Sequence, residues 1–232
     1  PRRANAGETV TVPILGTSTL PASLTGVSAL VVNITATSVV TGGYLQAVPT
    51  GATGAIHSNV NYTTGRASAN TAIVPITGPG SMSVFTNKST DIIVDVVGYI
   101  TASTAATSNK GLFVPITPGR AYNSRTGPAF TLGESRTVQL TGLTPAPLPS
   151  VPSNAVGVSV NLTVVNPPNV GFLQVYPGPT VPGTSNVNFA PGKTVANAAL
   201  LALAPGGTVI ATMSKPGHVL IDINGYFTPA SA

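Results

Sequence analysis

With no cysteine in the chain, catalytic chemistry would have to be drawn from five carboxylates and two histidines. The acids are Glu8, Asp91, Asp95, Glu134 and Asp222. Glycoside hydrolysis needs two carboxyl groups flanking one bond, one of them held protonated. With acids this sparse, such a pair would have to be assembled from distant segments. Glu8 recurs as Glu134 and Asp95 as Asp222, each in matching sequence surroundings. One acid per repeat is the pattern of a structural carboxylate bonded to backbone or Asn within a sheet, and Asp95 and Asp222 are read that way. His57 and His218 are not equivalent to each other, and neither has a second His at zinc-ligand spacing. Asp91 and Asp95 alone are too few for a calcium site, which needs several oxygen ligands. No Gly-x-Ser-x-Gly elbow occurs. The absence of Cys removes thiolate ligands, disulfides and a thiol nucleophile. The expectation is a non-enzymatic chain without cofactor or metal.

The elements that would position these groups are read from an internal duplication. Val31-Val32-Asn33-Ile34-Thr35-Ala36-Thr37 and Gly43-Tyr44-Leu45-Gln46-Ala47-Val48-Pro49 return as Ser159-Val160-Asn161-Leu162-Thr163-Val164-Val165 and Gly171-Phe172-Leu173-Gln174-Val175-Tyr176-Pro177. Alternation puts Leu30, Val32, Ile34 and Ala36 on one face of a strand and Asn33, Thr35 and Thr37 on the other. Next come Ser58-Asn59-Val60-Asn61-Tyr62 and Ser185-Asn186-Val187-Asn188-Phe189, with Val60 and Tyr62 pointing inward. Lys193 to Leu203 is rich in Ala and Leu, strong helix formers. Its counterpart, Arg66 to Ile76, contains Pro75 and β-branched residues, so strand is predicted in both. Met82–Phe85 follows a Gly78-Pro79-Gly80 turn, and Thr208–Ala211 follows Pro205-Gly206-Gly207. Each unit closes on Ile92–Tyr99 or Val219–Tyr226.

The predicted units are residues 1–104 and 112–232, joined by a small polar linker at 105–111. Unit 2 opens on Leu112-Phe113-Val114-Pro115-Ile116, running to Arg120 and Arg125. Unit 1 has no counterpart of residues 112–122. It starts at what reads as the tail of that segment, Pro1-Arg2-Arg3, and is short of one N-terminal strand. The fold class expected is all-β, two tandem β-sandwich-like domains.

Composition narrows the function classes. Hydrophobic residues are 42% and charged residues 6%, against about 25% charged in an ordinary domain. This is not a disordered composition, and the surface must be made of Ser, Thr, Asn and Gly. The net charge of +5 comes from scattered single Lys and Arg apart from Arg2-Arg3. No basic stripe is available for nucleic acid. No apolar run approaches the roughly 18 residues of a membrane helix, so no membrane insertion is expected. A chain opening on Pro1, without an initiator Met or signal peptide, reads either as a processed mature protein or as an incomplete chain. Asn33, Asn61, Asn87 and Asn161 lie in Asn-x-Ser/Thr, which a Thr-rich composition produces by chance.

These marks together resemble tandem repeats of roughly 110 residues in secreted actinobacterial surface proteins, often found beside cell-wall hydrolase or adhesin-like modules. That pattern runs Pro-x-Arg-x-Leu-Asp-Thr-Arg, Val-x-Leu-Asn-Val-Thr, Gly-Tyr-Leu-x-Val-x-Pro, Ser-Asn-x-Asn and Asp-Val-x-Gly-Tyr-Phe. Arg120 and Arg125 match its first motif, and Asn33, Asn161, Gly43-Tyr44-Leu45, Gly171-Phe172-Leu173, Asn59, Asn186, Asp95 and Asp222 match the others. Asn123-Ser124 replaces the motif's Asp-Thr. The resemblance implies an exported β-rich module on a cell surface and no catalytic activity. The repeated polar row of Asn33, Tyr44, Gln46 and Asn61 with Asn161, Phe172, Gln174 and Asn188 has three readings. It faces a second sheet, a neighbouring protein or a sugar. The function expected is an extracellular structural or adhesive module that self-associates, as a homo-oligomer or a filament joined through exposed strand edges or terminal segments. A free edge left by the missing strand is a pairing site, and low charge does little to keep copies apart. The alternative is a module binding cell-wall or surface glycan.

Overall fold

A computed structural model describes residues 3–14, 26–52, 57–76, 80–143 and 149–230. The chain divides into two compact units, Pro1–Thr107 and Ser108–Ala232. Unit 1 contains strands β1 (Arg3–Ala4), β2 (Thr9–Pro13), β3 (Val27–Thr37), β4 (Gly43–Pro49), β5 (Val60–Tyr62), β6 (Ser68–Pro75), β7 (Ser81–Thr86) and β8 (Thr90–Thr101). Unit 2 contains β9 (Phe113–Asn123), β10 (Ser135–Gln139), β11 (Gly157–Val165), β12 (Gly171–Tyr176), β13 (Val187–Phe189), β14 (Val195–Ala202), β15 (Thr208–Met213) and β16 (His218–Phe227), with a short 3₁₀ turn at Ser124–Thr126. Pro1, Arg2, Gly78, Pro79, Ser231 and Ala232, which enter the sequence reading, lie outside the described residues.

Each unit is a sandwich of two four-stranded sheets, antiparallel throughout. In unit 1 the orders are β1-β8-β3-β6 and β2-β7-β4-β5; in unit 2 they are β9-β16-β11-β14 and β10-β15-β12-β13. Period-two alternation supplies the core between the sheets. Leu30, Val32 and Ile34 of β3 meet Leu45 and Ala47 of β4 and Met82 and Val84 of β7 in unit 1. In unit 2, Val158, Val160 and Leu162 of β11 meet Leu173 and Val175 of β12 and Val209 and Ala211 of β15. Val60 and Tyr62 are buried, as their strand position predicts.

The Ala/Leu-rich stretch at Val195–Ala202 is a strand. It pairs with β11 from Val164 opposite Val195 to Gly157 opposite Ala202. Asn197, Ala199 and Leu201 are buried while Ala196, Ala198 and Ala202 are exposed. Ladder pairing and burial of one face outweigh the local helix preference of Ala and Leu.

The two units differ at one edge. In unit 2, β9 runs along the outer edge of β16, from Asn123 opposite Leu220 to Phe113 opposite Phe227. In unit 1 the same edge of β8 is met only at its start, where Arg3 lies opposite Asp91 and Ala4 opposite Thr90. Among the described residues β9 has no counterpart in unit 1. The start of unit 1 matches a later point of unit 2 than its sequence suggests, however. The Ala4–Thr90 pair corresponds to the isolated bridge between Phe130 and Gly217. The start of unit 1 therefore aligns beyond the 3₁₀ turn, not with the tail of β9. The Ser/Thr stretch between the units is tied down at both ends. Ala102 N–H donates to Gly26 O at 2.7 Å, and Gly111 N–H donates to Thr228 O at 2.8 Å.

Candidate functional site

The polar row read from the repeats does not form one face. Asn33 lies on β3, opposite Thr71 of β6 and Asp95 of β8. Tyr44 lies on β4, opposite Asn61 of β5, in the other sheet. The cores between the sheets occupy the inner faces, so these two groups point out of opposite sides of the sandwich. Unit 2 repeats the division. Asn161 lies beside Asp222, whereas Phe172 lies beside Asn188. Strand alternation alone cannot tell which sheet a strand joins, which is why the row looked continuous in the sequence.

Most of these amides are already engaged in fastening loops. Gln46 Nε2 donates to His57 O at 2.6 Å, and Gln174 Nε2 donates to Pro182 O at 2.6 Å and Thr184 O at 2.8 Å. Asn59 Oδ1 accepts the Ala47 N–H and Asn186 Oδ1 the Val175 N–H, both at 2.6 Å. The carbonyls of Asn59 and Asn186 accept from Asn70 Nδ2 at 2.8 Å and Asn197 Nδ2 at 2.7 Å. Since Asn70 and Asn197 belong to the facing sheets, the Ser-Asn-x-Asn motif clasps one sheet to the other. Asn61 Nδ2 donates to Ser58 Oγ at 3.0 Å. In unit 2, Ser185 Oγ donates to Asn188 Oδ1 at 3.2 Å, and Asn188 Nδ2 is buried without a partner. Of the aromatics, Tyr44 packs against Phe85 with ring centroids 6.0 Å apart, and Phe172 is 39% exposed. Of the four Asn-x-Ser/Thr asparagines, only Asn61 is exposed.

The repeat-equivalent glutamates close turns. Glu8 Oε2 accepts the Asn5 N–H and Glu134 Oε2 the Thr131 N–H, both at 2.7 Å. Glu134 is also bonded by Arg136 Nε at 2.5 Å. This guanidinium, helped by the Thr131 N–H, holds the Glu134 carboxyl at about 2, below its ordinary 4.5. A depressed carboxylate stabilises the fold above its unfolded pKa, and that contribution fades as pH falls toward the folded value. Unit 2 is expected to lose stability between about pH 4.5 and 2. Glu134→Gln should flatten that part of a calorimetric pH series.

One pair not foreseen from the sequence is Ser124 Oγ with His218 Nδ1 at 3.1 Å. Ser124 is buried, and its Oγ accepts the Val219 N–H at 2.8 Å. That bond fixes the 3₁₀ turn to β16, and it leaves the hydroxyl inside the fold rather than facing a cleft. Among the described residues no group of three or more His, Asp or Glu could hold a metal.

Among the described residues the outer edge of β8 is paired only at Thr90 and Asp91. Ile92, Val94 and Val96 point into the core, while Ile93 and Asp95 share the outer face with Asn33 and Thr35. The register shifts opposite Val31/Val32, at Val97-Gly98, and again at the matching place in β16, opposite Ser159/Val160. Where β9 covers β16, Leu220 is 7% exposed and Ile221 and Ile223 are fully buried. At the matching positions of β8, which no described strand covers, Ile93 is 45% exposed and Val94 and Val96 are only partly buried. Asp222 is gripped by Arg120, with Nε to Oδ1 at 2.5 Å and Nη2 to Oδ2 at 3.0 Å. Asp95, at the matching position, accepts only a hydrogen bond from the Asn33 side chain, and burial pushes its pKa up. Among the described residues no cation pairs with it. Spacing alone does not join Arg120 to Asp222; the signal for the pair is that unit 2 has both residues while Asp95 of unit 1 has no arginine at the matching place.

No protein-family model, curated protein or solved structure matches this chain.

Proposed function

We propose that the chain is a non-enzymatic structural or adhesive module of a cell surface, and that copies associate through the exposed apolar side chains of β8. The observation that supports this reading is a row of exposed apolar side chains on one strand, Ile93, Val97, Tyr99 and Ile100 of β8. Apolar side chains gathered in one exposed patch mark a contact site for another protein. The extracellular setting rests on the resemblance to secreted surface repeats. The glycan-binding alternative has less to work with, because Gln46, Gln174, Asn59 and Asn186 spend their amides on loops and Tyr44 leans on Phe85.

The test is light scattering over a concentration series, with negative-stain microscopy. Oligomers are expected, and Val97→Lys should return the chain to monomers, since it sets a charge within that apolar row. A strictly monomeric chain at high concentration would overturn the proposal. So would oligomers indifferent to Val97→Lys that dissociate on Phe172→Ala.

A further inference from the structure

At one end of unit 2 the second sheet hands over to a rim of turns whose tips alternate in chemistry. The strand order is β10-β15-β12-β13. Antiparallel pairing therefore brings to one rim the turn before β10, the turn after β15, the turn before β12 and the turn after β13. Leu132 stands on the first, Lys215 on the second, Val170 on the third and Lys193 on the fourth. Backbone bonds hold neighbouring turns together. Met213 N–H donates to Glu134 O at 3.0 Å, Ser214 N–H to Phe172 O at 3.0 Å and Gly192 N–H to Pro167 O at 2.8 Å. Phe172 N–H donates to Ser214 Oγ at 2.7 Å. Glu134 closes the Leu132 turn by accepting the Thr131 N–H, and Pro167 and Pro168 stiffen the Val170 turn. Tips fixed in this way meet a partner with little further ordering cost. Leu132 is 67% exposed and Val170 65%, the two most exposed large apolar side chains described in unit 2, and neither belongs to its core. One exposed aliphatic residue needs no explanation, but two that alternate with lysines along a rim have a shared setting. Lys193 and Lys215 are exposed, and Arg125 on the 3₁₀ turn at the same end is a third exposed cation. No free carboxylate opposes them, because the acids of unit 2, Glu134 and Asp222, are each paired with an arginine. The matching rim of unit 1, β2-β7-β4-β5, repeats much of the pattern. Lys88 follows β7, Arg66 follows β5, and Val40, 69% exposed, stands on the turn before β4.

We propose that this rim of unit 2 docks on the surface of an anionic lipid bilayer, with Leu132 and Val170 entering the headgroup layer and Lys193, Lys215 and Arg125 meeting lipid phosphates. The unit lies on the membrane and does not span it. Interfacial binding of this kind adds buried apolar area to electrostatic attraction, and each basic group close to a negative membrane surface strengthens it. A soluble polyanion would engage the cations but leave both aliphatic tips in water. An apolar protein surface would cover the tips but strand three cations that have no acid among them. A bilayer with anionic headgroups satisfies both sets of side chains at once. The site lies within unit 2 and uses none of the β8 side chains on which the assembly reading rests.

The chain has no tryptophan, so Leu132→Trp places a single indole on the rim. With vesicles of mixed phosphatidylcholine and phosphatidylglycerol, its emission should shift to the blue and be quenched by lipids brominated in the acyl chain. With phosphatidylcholine alone it should stay as in buffer. In cosedimentation with the mixed vesicles, Lys215→Gln should weaken binding about fivefold, and Leu132→Ser combined with Val170→Ser at least about tenfold. Added salt should weaken it further by screening the cations. Lys110→Gln, exposed at the opposite end of unit 2 beside the Gly111–Thr228 bond, should change nothing. Calorimetry should show the same unfolding transitions for all these variants, because each alters an exposed turn or linker position. Failure to bind the mixed vesicles at low salt overturns the inference. So does binding that Lys110→Gln weakens as much as Lys215→Gln, which would be attraction by net charge alone. So does binding that ignores the paired serine substitutions and is matched by soluble polyglutamate, which would make the rim a polyanion site. Light scattering on the chain without lipid reports separately on assembly. A monomer that binds vesicles keeps this inference and loses the assembly reading, and oligomers that ignore vesicles do the opposite.

Discussion

Replacing Phe130 by alanine is expected to lower the unfolding transition of unit 2 by about 20 °C and to leave that of unit 1 where it was. Phe130 is among the largest fully buried side chains and belongs to the unit 2 core with Val138, Leu140 and Met213. Its backbone is fixed by two bonds, Phe130 N–H to Gly217 O at 2.9 Å and Gly217 N–H to Phe130 O at 3.2 Å. The site therefore has little freedom to collapse around a smaller residue, and Phe-to-Ala truncation costs about 3–5 kcal/mol in such places. A second loss adds to it. The Arg136 guanidinium lies 4.0 Å above the ring, while it donates to Pro128 O, Ala129 O and Glu134. Removing the ring takes away the apolar floor of that cation, a further contribution of about 1 kcal/mol. At roughly 4 °C per kcal/mol for a domain of this size, the sum gives the predicted shift. Ala4 is buried at the equivalent position of unit 1, so that unit's core is built without an aromatic there. Differential scanning calorimetry checks the prediction, and a fall of less than about 5 °C would mean that the core closes over the gap.

The strands were legible because burial is written in the alternation. Leu30-Val32-Ile34 and Val158-Val160-Leu162 announce an inner face, and the duplication corrects local ambiguity, as Pro75 does for the Ala-rich Val195–Ala202. Sheet membership was not legible. Asn33 and Tyr44 look alike as outward polar positions, yet they leave the sandwich from opposite sides, because the choice of partner strand is a long-range matter that period two does not encode. The roles of the amides were hidden for a related reason. Asn59 and Asn186 act through loops that bring Ala47 and Val175 within 2.6 Å, and no spacing in the chain marks such a closure. The missing strand could be seen by comparing the halves, but its consequence could not. It takes the contrast of Leu220 with Ile93 to show that the β9 ladder shields that outer position.

Substituting Phe113–Tyr122 by a Gly-Ser stretch of equal length is expected to make unit 2 the less stable half and to drive the chain into aggregates. The substitution keeps the connection to Asn123 and the 3₁₀ turn while deleting the side chains that cover β16. Ile221, Ile223 and Leu220 would come to resemble Val94, Val96 and Ile93, which are partly or largely open in unit 1. At about 1.5–3 kcal/mol for full burial of such a side chain, partial exposure of three of them costs several kcal/mol. Asp222 would also lose Arg120 and be left half-buried without a cation. The ladder from Leu220 to Phe227 would lose its outer partner. Together these losses approach the 5–15 kcal/mol that holds a typical domain folded. The resulting edge is longer and more apolar than most sheets tolerate in solution. Calorimetry should show the unit 2 transition displaced far below that of unit 1, and light scattering should show association that the free Leu112–Arg125 peptide suppresses. If the substituted chain remained monomeric with an unmoved transition, the cover that β9 lays over β16 would contribute nothing to unit 2.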